Sequence, residues 1–385
     1  MGKAPIVLYG AIKSKPSLSD VILKGGKLLV VSSKRISRLS LRYKGQEMTP
    51  DDYREAAEEI ARSVAEARGL DFDELTDLDG GYAFVAGGKE YRFRVNAARY
   101  NDGKNLVVTL RWLKDHTWTI RDYFLAPFCT RHLFRRLNAN LGGLYLVIGP
   151  TGSGKSTVTA AVIKEVLKGP FNVITLEDPI EYRLYPDRGE ITQREVGIDT
   201  TSFARGLKSA MRQNPNVIFV GEVRDEETVE ALAQAADTGH VVIATLHTES
   251  PKDTLERLQG LVSEGKRESV MKVIAKTLIG VLGIRMFDPP NGKKGKIILH
   301  EYLNAEDSTI RSLLVNGQFS QIESYQNSVQ KGCMTFALSA AYQLEYFKNW
   351  TEEDFLSTGL FDAKELKDAV KQIRQFKKLF EEVQS

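Results

Sequence analysis

Hydrophobic and polar positions alternate in short runs over roughly the first third of the chain, then regroup beyond residue 140 into unbroken apolar runs separated by helical patterns. In the first region, residues 28–32 and 38–42 read as strands, with residues 33–37 supplying turn chemistry between them. Thr49 predicts the N-cap of a helix over 51–67, because Ala56, Ile60, Val64 and Ala67 recur at helical spacing. Asp51, Asp52 and Glu55 favour the positive end of that helix. Residues 82–85 and 91–97 flank Ala86-Gly87-Gly88-Lys89 as a hairpin, and a strand over 106–112 follows the turn Asn101-Asp102-Gly103. Residues 1–112 therefore make a smaller α+β domain.

Residues 113–140 form an aromatic-rich linker and a connecting helix over 127–137, ended by Asn138-Ala139-Asn140-Leu141-Gly142-Gly143. Beyond it, buried-strand runs at 144–148, 172–176, 217–220 and 241–245 alternate with helical segments. That alternation predicts an α/β domain over 141–362, with a mostly parallel sheet and helices on both faces. After about residue 292, short strands give way to helices, and the tail, 363–385, reads as a charged amphipathic helix over 363–383.

Composition narrows the function classes. Lys and Arg total 53 against 50 Asp and Glu in 385 residues, so the net charge of +3 offers no broad cationic field for a nucleic-acid backbone. No direct nucleic-acid binding is expected, and the basic stretch Lys24, Lys27, Lys34, Arg35, Arg38, Arg42 and Lys44 reads as a solvated face. Cys129 and Cys333 alone cannot build a disulfide framework or a four-cysteine zinc site, which fits a reduced compartment. No run of about 20 apolar residues occurs, so no segment is expected to cross a membrane unaided. The Met1-Gly2 start is a poor myristoylation match because Ile6 stands where Ser or Thr is needed.

The candidate chemistry centres on Gly149-Pro150-Thr151-Gly152-Ser153-Gly154-Lys155-Ser156-Thr157, which fits G-x-x-x-x-G-K-[ST] between a predicted strand and a predicted helix. Glycines let backbone N–H groups turn onto phosphate oxygens, Lys155 reaches the terminal phosphates, and the Ser156 hydroxyl ligates Mg²⁺. ATP and Mg²⁺ are the implied ligands. Glu222, ending the apolar run from Val217, is placed for a general base at the carboxyl edge of the sheet, or is simply a surface residue after a core strand. Glu177 closes another apolar run and suits a Mg²⁺ shell or water positioning, whereas Asp178 before Pro179 can be a turn residue. His240 and His247 bracket the strand 241–245; each can sense a terminal phosphate or serve structure.

With Arg92-Phe93-Arg94-Val95-Asn96-Ala97, Thr175 through Tyr182, Gln193-Arg194-Glu195-Val196-Gly197, Val220 through Asp225, and Thr238-Gly239-His240 onward to Thr248, the chain resembles the secretion ATPase superfamily. The likeness is to its PilT-like branch, with the related DotB and TraJ ATPases of type IV secretion and conjugation. The resemblance implies a PAS-like N-terminal domain, a RecA-like ATPase core and a homo-hexameric ring that hydrolyses ATP as a motor. It implies Glu222 as catalytic glutamate, Glu177 in an acidic box, His240 and His247 in a histidine box, and Arg94 and Arg111 as arginines brought to the terminal phosphate. Implied partners are inner-membrane platform or secretion-core proteins, with the ring peripheral at the cytoplasmic face. Pilus retraction and substrate export or conjugative transfer both fit; a non-hydrolysing regulator and a DNA translocase are rival classes. Three departures stand out: Ile22 in place of a common His, Asn214-Pro215-Asn216 without the usual acidic residues near a Mg²⁺ site, and Thr309-Ile310-Arg311-Ser312-Leu313-Leu314 in place of A-I-R-N-L-I.

Overall fold

The computed structural model describes residues 2–32, 35–113 and 118–381. The chain divides into two units, one made of 1–116 with 178–183 and 195–199, the other of 117–177, 184–194 and 200–385. Among the described residues, no helix is long and apolar enough to cross a membrane.

The first unit opens with a helix the residue pattern does not announce, α1 (Lys3–Ser14). Its Gly2 N-cap makes no side-chain cap, but Ala4, Val7, Leu8 and Ala11 form a fully buried stripe against α2 (Pro50–Ala67). Tertiary burial thus supplies what local signals do not. The start of α2 is as expected: Thr49 and Asp52 cap each other's backbone N–H groups, at 2.7 Å and 3.3 Å, with Pro50 at the first turn.

These helices cover one face of an antiparallel sheet ordered β3-β2-β1-β8-β7-β6. Its strands are β1 (Asp20–Lys24), β2 (Lys27–Ser32), β3 (Arg35–Leu39), β6 (Asp77–Ala86), β7 (Lys89–Tyr100) and β8 (Asn105–Leu113). A separate two-stranded ribbon joins β4 (Arg42–Tyr43) to β5 (Gln46–Glu47). The strand expected at 38–42 lies at Arg35–Leu39, because Ser32 pairs Arg35 and only Ser33 and Lys34, outside the described residues, join the two strands. Between β6 and β7, Gly87 and Gly88 both take positive φ, +59° and +75°, the backbone a two-residue hairpin of matching twist requires.

Two segments from later in the chain complete this unit. Arg92 donates to the Ile180 carbonyl, Arg183 lies 3.5 Å from Glu90, and Arg68 reaches Asp178 at 3.4 Å. Glu195 accepts from the Ile180 N–H at 3.2 Å, and burial raises its pKa.

The second unit is built on a sheet ordered β11-β10-β12-β13-β9-β14-β15. Its members are β9 (Gly143–Ile148), β10 (Asn172–Glu177), β11 (Glu190–Glu195), β12 (Val217–Val220), β13 (Val241–Leu246), β14 (Leu278–Phe287) and β15 (Ile297–Asn304). The run β10-β12-β13-β9-β14 is parallel and β15 returns antiparallel, so the α/β core is the expected one. Every residue of β9, β12, β13 and β15 is buried. β14 is an addition to the expected set: it follows α8 (Glu264–Thr277) without a Gly or Pro break and inserts beside β9.

Helices α3 (Phe128–Asn138), α4 (Lys155–Val166), α5 (Phe203–Ala210), α6 (Glu226–Asp237) and α7 (Pro251–Leu261) pack with α8 around this sheet. Beyond β15 come α9 (Ser308–Val315), α10 (Ile322–Gln326), α11 (Phe336–Tyr346) and α12 (Glu352–Leu356). The single tail helix expected over 363–383 is instead α13 (Ala363–Gln375), a break at Phe376, and α14 (Lys378–Glu381). After the break Phe380 turns into a ring cluster, 5.1 Å from Tyr342 and 5.5 Å from Phe128; Val383 lies outside the described residues.

Candidate functional site

The phosphate loop springs from the buried end of β9. Gly149 adopts φ +148°, and a Cβ there would fall 2.5 Å from both the Ile284 carbonyl oxygen and Ser153 Oγ, so the turn accepts only glycine. Gly154, at φ +93°, caps α4, and Lys155 is that helix's first residue. Lys155 is only 7% exposed; its ammonium donates to the carbonyls of Gly149 at 2.7 Å and Pro150 at 3.0 Å. Ser153 Oγ is buried inside the loop without a hydrogen-bond partner. Thr151, Gly152 and Ser156 are exposed around it, and Thr157 is half-buried. A buried ammonium, an orphaned hydroxyl and the N-terminal N–H groups of a 12-residue helix fit a polyphosphate.

Strand direction decides which acidic and histidine side chains reach the loop. Because β9, β12 and β13 are parallel, their C-terminal ends lie together. Glu222 follows β12 by two residues, and its neighbours are pinned on both sides. Gly221 N–H donates to Leu176 at 2.8 Å, Val223 N–H to Thr245 at 3.1 Å, and the Thr245 hydroxyl donates to the Gly221 carbonyl. His247 lies just past β13 and bridges the two charges: its Nδ1 is 3.2 Å from Lys155 Nζ and its Nε2 is 3.7 Å from Glu222 Oε1.

An ammonium can only donate, so Nδ1 accepts and the proton sits on Nε2, facing Glu222. Burial and then the Lys155 charge hold the His247 pKa below its ordinary value, so the ring is neutral near pH 7. Burial pushes Glu222 upward, but the Arg224 hydrogen bond, with the charges of Arg224, His247 and Lys155, outweighs it and keeps the carboxyl ionised. Arg224, two residues on, is a member of this site to which the sequence pattern assigned no part.

Glu177, at the end of β10, sits beside Gly221: a Cβ on Gly221 would be 3.3 Å from Glu177 Cα. Its Oε1 accepts from Thr175 Oγ1 at 2.6 Å and Gln193 Nε2 at 3.1 Å. Gln193 is thus a second contributor without a role assigned from sequence. Among the described residues no group of three or more His, Cys, Asp or Glu forms a metal cage. A hydroxyl and a carboxylate such as Ser156 and Glu177 are hard oxygen donors suited to Mg²⁺, which takes its remaining ligands from phosphate and water.

His240 is not brought to this site. It precedes β13, its carbonyl accepts from Gly143 N–H at the start of β9, and its ring lies on the Ala235 carbonyl and Thr238 at the end of α6. Six strand residues separate it from His247, roughly 20 Å at the usual rise. Asn214 and Asn216 also lie at the far ends of their strands. Asn216 Oδ1 accepts from Asn172 N–H, and the Asn172 amide donates to the Gln213 and Asn214 carbonyls. They fasten β10 to β12 and leave the Mg²⁺ neighbourhood untouched. Arg94 and Arg111 belong to the first unit, directly paired across β7 and β8 on the face opposite α1 and α2; Arg94 is exposed and Arg111 Nε donates to Asp20 at 3.0 Å.

Residues 27–337 match the family model described as type II/IV secretion system protein. A twitching motility protein of Neisseria gonorrhoeae is 35% identical over 244 residues, spanning 63% of this chain and 63% of that protein, so the alignment covers under two thirds of the relative. The type IV pilus retraction ATPase PilT of Pseudomonas aeruginosa is 33% identical over 255 residues, 66% of this chain and 70% of that protein. Among solved structures, the pilus retraction motor PilT with bound ADP superposes with a TM-score of 0.74 at 31% identity, covering 96% of this chain and 99% of that one. The Legionella pneumophila ATPase DotB gives 0.72 at 24% identity over 94% and 97%, a likeness of fold.

Proposed function

Because this chain belongs to the type II/IV secretion system protein family, within the secretion ATPase superfamily of GspE/PilT type, we propose that it is a motor ATPase. The observation that carries the reading is the line Lys155, His247, Glu222 at the C-terminal edge of the parallel sheet. It joins a phosphate-binding cation to an ionised carboxylate through a neutral imidazole.

ATP is the nucleotide, held by residues 149–157. Lys155 moves from loop carbonyls to phosphate oxygens, and Glu222 accepts the proton of the attacking water. His247 presents Nε2–H toward the same place and holds the water and the carboxylate in register. Mg²⁺, when bound, supplies Lewis-acid stabilisation of charge on the phosphates. Ser156 and Glu177 are the residues that would hold it, Glu177 fixed in orientation by Thr175 and Gln193. Arg94 and Arg111 supply guanidinium groups that stabilise charge on the transferring phosphoryl group. His240 is assigned no part within its own chain.

The working assembly is a homo-hexamer at the cytoplasmic face of the inner membrane, engaging the platform of a type IV pilus. The Neisseria relative is named a twitching motility protein and the Pseudomonas relative a type IV pilus retraction ATPase, and these names favour retraction over export or conjugative transfer. The deciding experiment is steady-state phosphate release from the purified chain with Mg²⁺ and ATP, wild type against Glu222→Gln. Retained nucleotide binding with lost turnover is the expected result; wild-type turnover in the variant removes Glu222 as base.

A further inference from the structure

β14 runs beneath the phosphate loop and carries a cation into the interior. The Ile284 carbonyl lies against Gly149 and the Met286 methyl against Gly154; Arg285 stands between them. Its guanidinium lies over the Phe336 ring, 5.6 Å from the centroid. Nη2 donates to the Glu249 carbonyl at 2.8 Å, whereas Nη1 is buried without a hydrogen-bond partner. Glu249 lies two residues past His247 and directly before Ser250, the N-cap of α7. Arg285 therefore grips the short turn that carries His247 into a helix.

A buried acid faces the same space. Glu301 on β15 pairs Gly283, and Arg285 pairs Leu299, so Glu301 and Arg285 are diagonal neighbours on one face of the antiparallel pair. Gly283 makes room for the acid, since a Cβ there would fall 2.5 Å from Glu301 Cγ. Glu301 is 6% exposed; Oε2 accepts from Gln326 Nε2 at 2.8 Å, and Oε1 has no partner. The other charged groups around it are Asp253 on α7 and Glu323 on α10, the latter 3.7 Å from Lys252. A buried acid and a buried base thus stand near each other, each with one orphaned atom. Such an arrangement gives the guanidinium competing partners: on one side Glu249, whose carbonyl accepts from Nη2 and whose exposed carboxylate lies 3.8 Å from the same nitrogen, and on the other the Glu301 carboxylate.

We propose that Arg285 is a positioning residue for hydrolysis, holding the Glu249 peptide and through it His247, and that the proton on Glu301 decides between its two partners. With Glu301 neutral, the guanidinium stays on Glu249. With Glu301 ionised, Nη1 closes on Oε1, the hold on Glu249 weakens and the turn loosens. Burial pushes Glu301 up to about 7 against the opposing pull of Gln326 and Arg285, which puts the exchange in the physiological range.

The proposal rests on the ATPase reading, so its test has an arm that needs no turnover. Backbone hydrogen exchange of residues 248–254 is measured in the full-length, nucleotide-free chain at pH 6, 7 and 8, corrected for intrinsic rates. Wild type should lose protection by about threefold or more from pH 6 to 8, Glu301→Gln should stay protected throughout, and Arg285→Gln should be unprotected throughout. In the turnover arm, Arg285→Gln should lower kcat about tenfold with KM for ATP within about twofold, and Arg285→Lys should restore part of it. Arg285→Lys also keeps a buried cation should Arg285→Gln fail to fold. A Glu301→Gln exchange profile with the wild-type pH dependence, or unchanged protection of 248–254 in both Arg285 variants, overturns the proposal. Absence of turnover in wild type overturns the ATPase reading and leaves the exchange arm to decide this one.

Discussion

The two sheets treat their polar residues differently. In the seven-stranded sheet, β9, β12 and β13 are buried at every position, and the polar groups of the site sit just beyond their ends, pinned by strand-end hydrogen bonds. In the six-stranded sheet, burial alternates along β6 and β7, one face lies under α1 and α2, and Arg94 and Arg111 stand on the other. A core that surrounds its strands fixes the backbone from which the Glu222 carboxylate projects. A sheet whose burial alternates presents such cations at its surface, where they stay accessible to water and to an incoming group. The first kind of placement suits a group that must act on one proton, the second a group that arrives and leaves.

Substitutions can break or sharpen this contrast. The largest effect is expected at Glu222→Gln, which should lower kcat by about 10²–10⁴ while nucleotide affinity, measured by fluorescent-ATP titration, stays near wild type. Next, Arg94→Ala should lower kcat by about 10²-fold with no shift in Tm, because its guanidinium is exposed in the free chain. A Tm drop of several degrees would mean that Arg94 is structural and the contrast misplaced. Thr49→Ala should destabilise the first unit by about 1 kcal/mol in denaturant unfolding, since the sheet's cover depends on the α2 cap. Smallest of all, His240→Gln should change turnover by less than about twofold, against a clear loss for His247→Gln. Equal losses in the two would indicate that a second chain brings His240 to a site.

Stability should also record the buried acid. A carboxyl whose folded pKa is raised from 4.5 to about 7 gives full stability below 4.5 and loses it as pH climbs to about 7. Glu301→Gln should erase that slope, worth roughly 3 kcal/mol across the window, as followed by chemical denaturation at successive pH values.

Much of this was legible in the residues because the signals are local. The phosphate loop is a contiguous motif between a strand and a helix, and the α2 cap is four residues of mutual hydrogen bonding. Glu222 could be chosen because an apolar run points at it. His240 and His247 flank the same strand equally well, and only the parallel direction shared with β9 separates them. α1 lacks a cap, and β14 follows α8 with no breaking residue, so burial decides both. Arg285 was invisible for a related reason: its partner carbonyl is 36 residues away in sequence.

The path of the backbone has one more consequence. The chain passes from one unit to the other after residues 116, 177, 183, 194 and 199. One protease cut therefore cannot set the halves free, and a fragment ending near residue 112 would lack Asp178, the acid that meets Arg68, together with the rest of the two inserted segments. Tension along the chain would be shared among several peptide crossings instead of falling on one linker.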